Sequence, residues 1–450
     1  MAEENSRSIV AVDIGGTFTD IVLVRENRPI ATKKVLSTPQ NYALGIVSGL
    51  RELIEESSLS PRQIERVLHA TTVATNAILE GKGSRTALIT TRGFRDVLEL
   101  RRIRIPRLYD LFFEKPRPLV PRRHRFEVEE RVDAKGNVLV PLNEEEVRTA
   151  ISKIEAAHID SVAVCFLNSF TRPAHERRVG ELVHEKLPSI YLSLSADILP
   201  EIREYERTST TVINAYIGPL AKSYLQHLEK QLATIRVRCP LLIMQSSGGV
   251  MDVRTATRKP AHLIESGPAA GVVAAMHLAK KAGYKDVISF DMGGTTAKAS
   301  LIENERFNFT SEAEIGSGIT LSSRLTKGGG YALKLPMIDL SEVGAGGGSI
   351  ARLDKGSLKV GPQSSGARPG PVCYDQGGEE ITITDANVLL GYINPEYIAG
   401  GAVPLNRDKA ARIFEQKIAK PMGKDLYPAA FGIHTVANAA MIRAVKAVST

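Results

Sequence analysis

The feature that most constrains the fold of this chain is a strand-turn-strand pattern that occurs twice. Its first copy, VAVDIGGTFTDIVLV at residues 10–24, is an apolar run of strand-forming residues that ends at Asp13, followed by Gly15 and Gly16 and a second β-rich run. Glycine adopts backbone conformations that other residues disfavour, so such a turn can bring its N–H groups close to an anion. A single copy fits an ordinary glycine hairpin as well as a phosphate-binding turn.

The second copy, ISFDMGGTTAKASLI at residues 288–302, aligns with the first without a gap at an offset of 278 residues (291 − 13). Two such turns in two halves of one chain predict a duplicated architecture with a nucleotide between the halves, because ligands favour clefts between domains. Asp13 and Asp291 end equivalent strands, where a carboxylate can hold hydrated Mg2+ beside phosphate oxygens. The residues that we expect to bind the phosphates are Gly15, Gly16, Thr17, Gly293, Gly294, Thr295 and Thr296.

The stretch RVLHATTVATNAILEGKG at residues 66–83 predicts a short strand, a threonine-rich turn and a helix. Small hydroxyl groups at a strand-to-helix turn can donate hydrogen bonds to a ligand. His69, Thr71, Thr72 and Asn76 are therefore candidates for the substrate side of the site. Helix capping and turn hydrogen bonds explain the same residues equally well.

The order of the remaining patterns predicts an α/β fold. Buried-strand patterns such as SVAVCFL at residues 161–167 alternate with helical patterns, as a parallel or mixed sheet with helices on its faces requires. Apolar residues spaced three or four apart predict a long helix from about residue 208 to residue 232, whose apolar stripe we interpret as core. At 450 residues the chain exceeds one ordinary core, and we expect a first domain at residues 1–205 and a second at 206–450.

Composition excludes some classes of function. The net charge is +8, but Trp is absent and no basic run is interleaved with aromatic residues, so we do not expect nucleic-acid binding. The basic stretches at residues 101–107 and 121–125 are interpreted as contacts for an acidic ligand, for a partner, or for solvent. Three scattered cysteines argue for a reducing compartment. With no signal-peptide pattern and no apolar stretch of membrane-spanning length, we expect a cytoplasmic protein that does not enter a membrane.

Neither glycine turn is a Rossmann fingerprint or a Walker A loop, because each is followed by a strand and no Gly-Lys-Ser/Thr is present. The arrangement instead resembles the sugar kinase, Hsp70 and actin superfamily. More narrowly, the chain resembles hydantoinase A, an ATP-dependent family that includes N-methylhydantoinase, 5-oxoprolinase and the ketone carboxylases. The stretches that carry this resemblance are DIGGTFTD, HATTVATNAILEGKG, RGFRDVLELRR, ESGPAAG, FDMGGTTAK, EVGAGGGSIA and GPQSSGARPGPVCYDQGG.

The resemblance implies a duplicated actin-like, ribonuclease H-like ATPase fold, with two mixed sheets flanked by helices and a nucleotide cleft between the halves. It also implies ATP and Mg2+ as cofactors, a small-molecule substrate and a hydantoinase B-like partner in an oligomer. The implied reaction is the ATP-dependent hydrolytic opening of a hydantoin-like or 5-oxoproline-like cyclic amide. One alternative is a subunit of an ATP-dependent ketone carboxylase. Another is a nucleotide-gated binding or scaffold subunit without amide chemistry.

By the same resemblance, Asp13 and Asp291 position Mg2+ and the attacking group. Lys298 stands where the first repeat has Asp20. Our hypothesis is that Asp20 faces the reacting group while Lys298 neutralises phosphate. The family continues past its last helix into a Gly-Gly-Ala-Gly-Pro loop that resembles an adenosine-binding element; this sequence does not contain it, so we expect the family's C-terminal part to be missing and assign no adenine-binding residue.

Overall fold

The computed structural model describes residues 7–16, 18–26, 28–38, 41–102, 109–316, 329–401 and 403–449. Within these ranges the fold is α/β, with mixed sheets flanked by helices, as predicted. The strands that precede residue 260 are β1 (Ser8–Ile14), β2 (Phe18–Arg25), β3 (Arg28–Leu36), β4 (Ile64–Thr71), β5 (Thr86–Thr91), β6 (Arg125–Val128), β7 (Arg131–Val132), β8 (Val138–Val140), β9 (Ser161–Cys165), β10 (Tyr191–Leu194), β11 (Leu241–Met244) and β12 (Val250–Asp252). The helices between them are α1 (Tyr42–Glu56), α2 (Val73–Leu79), α3 (Val97–Leu100), α4 (Glu144–Ala156), α5 (Ala174–Lys186), α6 (Ser195–Ile198), α7 (Glu204–Thr234) and α8 (Val253–Arg258).

The first sheet has six strands in the order β12-β11-β4-β1-β2-β3. Its central strand β1 pairs antiparallel with β2 and parallel with β4. Val10, Val12 and Ile14 point to one face of β1 and are buried in a core that α1 and α7 also line. Because β1 and β4 are parallel, their carboxyl ends meet at one edge of the sheet, where Asp13 lies opposite Ala70.

A second sheet in the first half has the order β10-β9-β5-β6, and all of its strands run parallel. The long helix α7 links it to the first sheet. Its residues Val212 and Ala215 pack with the second sheet, whereas Ile213 and Ile217 belong to the core of the first. The predicted helix is thus confirmed, with 31 residues that begin slightly before the predicted start.

The second half contains the repeated hairpin. Its strands are β13 (Val287–Met292), β14 (Ala297–Glu303), β15 (Arg306–Phe307), β16 (Phe309–Thr310), β17 (Ala313–Ile315), β18 (Tyr331–Leu333), β19 (Met337–Ile338), β20 (Ser341–Val343), β21 (Ser349–Asp354), β22 (Ser357–Ser364), β23 (Tyr397–Ile398) and β24 (Val403–Pro404). Its helices are α9 (Ser266–Lys281), α10 (Ile383–Leu389), α11 (Arg407–Phe414) and α12 (Leu426–Ser449). β14 pairs with β13, β15 and β20.

Both predicted hairpins form, and equivalent hydrogen bonds close their turns. The Gly15 amide donates to the Phe18 carbonyl at 2.9 Å, and the Gly293 amide donates to the Thr296 carbonyl at 2.9 Å. The sequence repeat is therefore also a repeat of local backbone structure.

The proposed boundary between residues 205 and 206 stays a prediction. β11 and β12 follow that boundary in the chain, yet they pair into the first sheet beside β4. None of the helices in the described ranges combines the length and the hydrophobicity that crossing a bilayer requires.

Candidate functional site

A cavity of about 850 Å3 lies between the two hairpins. The predicted site residues that line it are Asp13, Gly15, Gly16, Thr72, Asn76, Asp291, Gly293, Gly294, Thr295, Thr296 and Lys298. Asp20, His69 and Thr71 are not among the residues lining it, and Thr17 lies outside the described residues. The structure thus brings both glycine turns and both strand-end aspartates to one space.

Asp13 is a cavity carboxylate with a raised pKa. Its carboxylate faces the cavity, but the surrounding protein removes part of its solvation. This desolvation, together with the negative charges of Asp20 and Asp291, raises the pKa of Asp13 to about 6. Asp20 is its cross-strand partner in the hairpin and forms an ion pair with Lys34, Oδ1 to Nζ, at 2.5 Å. A carboxylate with a pKa near 6 can both accept and return a proton near neutral pH.

Lys298 lies opposite Asp291 in the second hairpin, but two carboxylates already hold its ammonium group. It donates a hydrogen bond to Glu265 and lies 3.5 Å from Glu342 Oε1. Burial by itself lowers the pKa of Lys298, yet these two carboxylates outweigh it and raise that pKa above its ordinary value. Burial also raises the pKa of Glu342. The lysine therefore stabilises the buried Glu265 and the partly exposed Glu342 at the cavity wall, a role that its place in the repeat did not predict.

The amino end of α9 reaches the first hairpin. Ser266 anchors it to the end of β4, since its hydroxyl donates to the Thr71 carbonyl at 3.0 Å and accepts from the Thr71 amide at 3.2 Å. Gly267 then passes so close to Asp13 that a Cβ atom there would lie 3.0 Å from Oδ1. Gly267 and Pro268 line the cavity, so the positive end of the helix dipole faces it.

A glycine loop supports the second hairpin from behind. The Gly347 amide donates to the Gly293 carbonyl at 3.0 Å, and the Gly348 amide donates to the Gly294 carbonyl at 2.7 Å. A Cβ atom at Gly346 would lie 2.6 Å from the Thr295 nitrogen, so this approach requires glycine. The stretch EVGAGGGSIA thus holds the second turn in place.

His69 lies behind the cavity wall, where it is 1% exposed. Its Nδ1 is 3.3 Å from the Val12 carbonyl, which can only accept, and its Nε2 is 2.7 Å from the Tyr224 hydroxyl. Burial lowers the pKa of His69 to about 4, so the ring is neutral. His69 does not line the cavity; instead its ring orients Tyr224, which does line the cavity.

The threonines of the predicted substrate turn divide between the two interpretations. Thr72 and Asn76 line the cavity, where Thr72 Oγ1 donates to the Ile14 carbonyl at 3.2 Å and accepts from Asn76 Nδ2 at 3.4 Å. Thr71 is buried, and its Oγ1 accepts from the Val73 amide at 3.1 Å. For Thr71 the structure supports the turn and capping interpretation.

The end of the cavity near α1 and α7 is aromatic and amphipathic. The rings of Tyr42 and Tyr224 meet edge to face at 6.4 Å, and Asn41 Nδ2 lies 3.4 Å from Nε2 of His227. Further lining residues here are Leu79, Leu220 and Ser223. Leu220 and Tyr224 belong to the apolar stripe of α7 that we interpreted as core. Tyr224 does pack against the core and also lines the cavity, whereas Leu220 is exposed and lines the cavity only.

Sequence reasoning missed Glu265, Glu342, Arg368 and this aromatic wall. The first three stand in the stretches ESGPAAG, EVGAGGGSIA and GPQSSGARPGPVCYDQGG, and all three lie at or beside the cavity. Those stretches carried the resemblance, but nothing in them indicated which side chains meet. Tyr224 contributes only to the helical spacing of apolar residues in α7, and a helix that faces the core has the same spacing. The sequence therefore did not indicate that this tyrosine lines a cavity.

The aspartates of the cavity are compatible with one divalent cation. In the described ranges, no group of three or more His, Cys, Asp or Glu side chains is arranged to hold a metal ion. Asp13 and Asp291 do supply two carboxylates whose repulsion contributes to the raised pKa of Asp13. Mg2+ keeps several waters and is usually held by one or two carboxylates together with phosphate oxygens, so this pair fits Mg2+.

Two models of known protein families match most of the chain. The hydantoinase/oxoprolinase model matches residues 207–450, and the model of the hydantoinase/oxoprolinase N-terminal region matches residues 9–187. An uncharacterised protein of Methanocaldococcus jannaschii is 44% identical over 445 residues, which cover 98% of this chain and 64% of that protein. The alpha subunit of caprolactamase from Pseudomonas jessenii is 35% identical over 447 residues, which cover 98% of this chain and 62% of that subunit. The chain thus spans less than two thirds of the length of these relatives.

Two solved structures have the same fold. Acetone carboxylase in its nucleotide-free form superposes with a TM-score of 0.84 at 29% identity, covering 97% of this chain and 62% of that chain. The ATP-dependent caprolactamase superposes with a TM-score of 0.78 at 35% identity, covering 98% of this chain and 63% of that chain. Both have the actin-like ATPase-type fold, so the predicted fold class is confirmed.

Proposed function

Because this chain belongs to the hydantoinase/oxoprolinase family, we propose that it is the ATP-binding, A-type component of an enzyme that opens a small cyclic amide by hydrolysis. The observation that carries the proposal is the convergence of two glycine turns with Asp13 and Asp291 on one cavity. The names of the relatives support the use of ATP, since both the caprolactamase and the acetone carboxylation are described as ATP-dependent.

In this proposal the two turns bind the phosphates of ATP from opposite sides. The amides of Gly15 and Gly293 close the two turns, so the backbone N–H donors to phosphate oxygens are those of Gly16 and Gly294. The hydroxyls of Thr17, Thr295 and Thr296 are further proposed donors. The amino end of α9 and the guanidinium of Arg368 add positive potential at the same cavity. Asp13 and Asp291 hold Mg2+, which neutralises phosphate charge when bound.

The chemistry follows from the low reactivity of a ring amide. Transfer of the terminal phosphoryl group of ATP to the amide oxygen makes the carbon electrophilic and releases ADP. Asp13 accepts a proton as water attacks that carbon and returns this proton to the ring nitrogen. Expulsion of the protonated nitrogen opens the ring and leaves an acyl phosphate, from which a second water releases phosphate. With its pKa near 6, Asp13 is mostly ionised at neutral pH and can act as this base.

The aromatic end of the cavity is the proposed place for the ring. Tyr42, Tyr224 and Leu220 offer apolar surface, whereas Asn41 and Asn76 offer amide groups that can pair with a ring amide. A neutral ring with one donor and one acceptor is complementary to such a wall.

A partner belongs to the same proposal. The relative from Pseudomonas jessenii is an alpha subunit, which supports an assembly with a hydantoinase B-like subunit in a hetero-oligomer. A cytoplasmic location is also proposed, because Cys165, Cys239 and Cys373 are all free thiols.

A ketone carboxylase subunit is the second candidate. It is favoured by the acetone carboxylase superposition, whose TM-score of 0.84 exceeds the value of 0.78 for caprolactamase. The same cavity would then activate bicarbonate and a ketone rather than an amide.

The test is phosphate release from ATP and Mg2+, by the chain alone and with a B-type partner, against hydantoins, 5-oxoproline, lactams, and ketones with bicarbonate. Stimulation by a cyclic amide is expected, and Asp13→Asn should lower it about 100-fold or more. Glu229→Gln, at an exposed carboxylate of α7, is the matched control and should leave turnover unchanged. Stimulation only by a ketone with bicarbonate would assign the chain to the carboxylases, and ATP binding without stimulated turnover would favour a nucleotide-gated scaffold.

A further inference from the structure

A second pocket, of about 490 Å3, lies at the start of β4 and β11. Its lining residues are Pro61, Arg62, Ile64, Arg236, Arg238 and Cys239. β4 leads at its other end into Thr72, which lines the cavity between the hairpins. The pocket and the cavity therefore lie at opposite ends of the same strand and share no lining residue. A concave space of this volume has the size of a small-molecule site.

The charge of this pocket is uncompensated. Three of its lining residues are arginines, and no acidic residue of the described ranges lines it. In the part of the chain that the structure describes, none of the three guanidinium groups forms an ion pair. Glu65, the acidic residue closest to Arg62 in the sequence, is paired with Arg66 instead. Like charges around one space repel one another, and a bound anion would offset that repulsion.

The backbone at Arg236 gives a second, independent observation. α7 ends in a motif in which the Val237 amide donates to the Leu232 carbonyl at 3.1 Å and the Arg236 amide donates to the Ala233 carbonyl at 3.0 Å. Arg236 has a φ of 63°, in the left-handed region. Glycine is the usual residue at this position of the motif, because a Cβ atom strains the left-handed conformation. The sequence thus places a guanidinium at the pocket where the backbone favours glycine.

The dipole of α7 explains only part of this arrangement. A cation at the carboxyl end of a helix is favourable, but the effect falls off within the last turn. It accounts for Arg236, whereas Arg62 belongs to the separate 3-10 turn Pro61–Gln63 and Arg238 to the loop before β11. Ile64 is 4% exposed, and burial raises the pKa of Cys239, so its thiol is uncharged at neutral pH. Three exposed cations thus surround a neutral floor.

We propose that this pocket binds a small molecule with at least two anionic groups, which are carboxylates or phosphates. The planar guanidinium group binds either kind of oxyanion through two parallel hydrogen bonds. Three such groups around one space match a dianion or trianion better than a single carboxylate. The concave shape favours a small molecule over an acidic polypeptide, which binds more extended surfaces. The site is separate from the proposed ATP chemistry, so either can be wrong without the other.

Cys239 supplies a local reporter for the test. It is half-buried at the pocket, whereas Cys165 and Cys373 are 3% and 0% exposed. The rate at which a neutral maleimide alkylates Cys239 is measured by peptide mass spectrometry, with citrate or pyrophosphate as the probe and KCl to hold the ionic strength constant. Alkylation should slow about 10-fold once the probe reaches about ten times its Kd, whereas acetate should not slow it. Stronger protection by citrate assigns a polycarboxylate ligand, and stronger protection by pyrophosphate assigns a polyphosphate.

Variants connect the protection to the arginines. Arg236→Gly should weaken binding of the probe at least about 10-fold, and Arg238→Gln should do the same. Because glycine suits the left-handed position, the unfolding temperature of Arg236→Gly should be unchanged or higher. Arg443→Gln, at an exposed arginine of α12, removes the same charge and is the matched control, which should bind the probe normally.

Several outcomes would overturn the proposal. One is that citrate and pyrophosphate protect Cys239 no better than KCl or acetate at the same ionic strength. Another is that Arg443→Gln weakens protection as much as Arg236→Gly, which would reduce the effect to overall charge. A third is that polyglutamate protects Cys239 while neither small anion does, because the pocket would then bind an acidic polypeptide. None of these readouts depends on ATP turnover.

Discussion

The hydroxyl of Tyr224 lies 2.7 Å from Nε2 of His69, and this hydrogen bond joins α7 to β4 directly behind the cavity. The Val12 carbonyl lies 3.3 Å from Nδ1, so Nδ1 carries the proton and Nε2 is the acceptor. One buried neutral imidazole thus connects β1, β4 and α7, and it orients the tyrosine ring that forms the cavity wall.

Removing the Tyr224 hydroxyl should destabilise the protein. Tyr224→Phe leaves Nε2 of a buried histidine without a donor, which typically costs about 1–3 kcal/mol in the free energy of unfolding. Urea denaturation measures this loss. Tyr42→Phe, at a half-buried tyrosine of the same wall, is the control and should lose less than about 1 kcal/mol. Equal losses in the two variants would contradict the proposed role of the hydrogen bond.

His69 should make stability depend on pH. Its folded pKa of about 4 lies below the ordinary value of 6.5, so the unfolded state binds its proton first as the pH falls. The contribution of the neutral ring is complete above pH 6.5 and is lost as the pH falls toward 4, about 3 kcal/mol over that window. His69→Gln should remove this component, so the difference in unfolding free energy between the two proteins should shrink on acidification. If the difference in unfolding free energy between the parent protein and His69→Gln does not change with pH, the predicted contribution of His69 protonation is wrong.

Asp20 should control the acidic limb of ATP turnover through Asp13. The charge of Asp20 helps to raise the pKa of Asp13 to about 6, and turnover should therefore rise with pH through that value as Asp13 ionises. Asp20→Asn removes that charge and frees Lys34, and both changes favour the ionised form of Asp13. In Asp20→Asn, the acidic limb of the pH profile of kcat/KM should therefore move to lower pH. In Asp20→Glu, which keeps the negative charge, that limb should stay in place. A limb that stays or moves to higher pH would exclude this coupling.

Lys298 should be needed for stability more than for phosphate binding. Lys298→Met leaves the buried Glu265 and the partly exposed Glu342 without their cation, and loss of one partner of a buried ion pair typically costs about 3–5 kcal/mol. Adding Glu265→Gln should recover part of that loss. The exposed pair of Lys359 with Asp354 gives the control, because Lys359→Met should cost about 1 kcal/mol or less. If Lys298→Met weakens ATP binding without changing the unfolding free energy, the original phosphate hypothesis is the better one.

Two glycines of α9 should behave differently. A Cβ atom at Gly267 would lie 3.0 Å from Asp13 Oδ1, so Gly267→Ala should displace the carboxylate and lower ATP turnover about 10-fold or more. At Gly271 nothing lies within 4 Å of the added atom, and Gly271→Ala should leave turnover unchanged while it stabilises the helix by up to about 1 kcal/mol. Comparable turnover in both variants would show that the close approach is unimportant.

Much of the fold follows from local patterns in the sequence. The alternation in β1 and β13, the glycine pairs at positions 15 and 293, and the helical period of α7 each specify backbone structure within a few residues, and each feature formed where it was predicted. Local patterns of this kind can be recognised because hydrogen bonding and side-chain direction repeat over short distances.

The amino-acid sequence alone predicts the two hairpins, the identity of their turn residues and the α/β class. The packing of distant elements against one another establishes that Lys298 meets Glu265 and Glu342, and that His69 orients Tyr224 instead of facing the cavity. Those relationships join residues far apart in the chain, and they depend on how helices and sheets pack rather than on any local period. Burial then sets the charge states, since the same imidazole or carboxylate titrates differently once its surroundings are fixed.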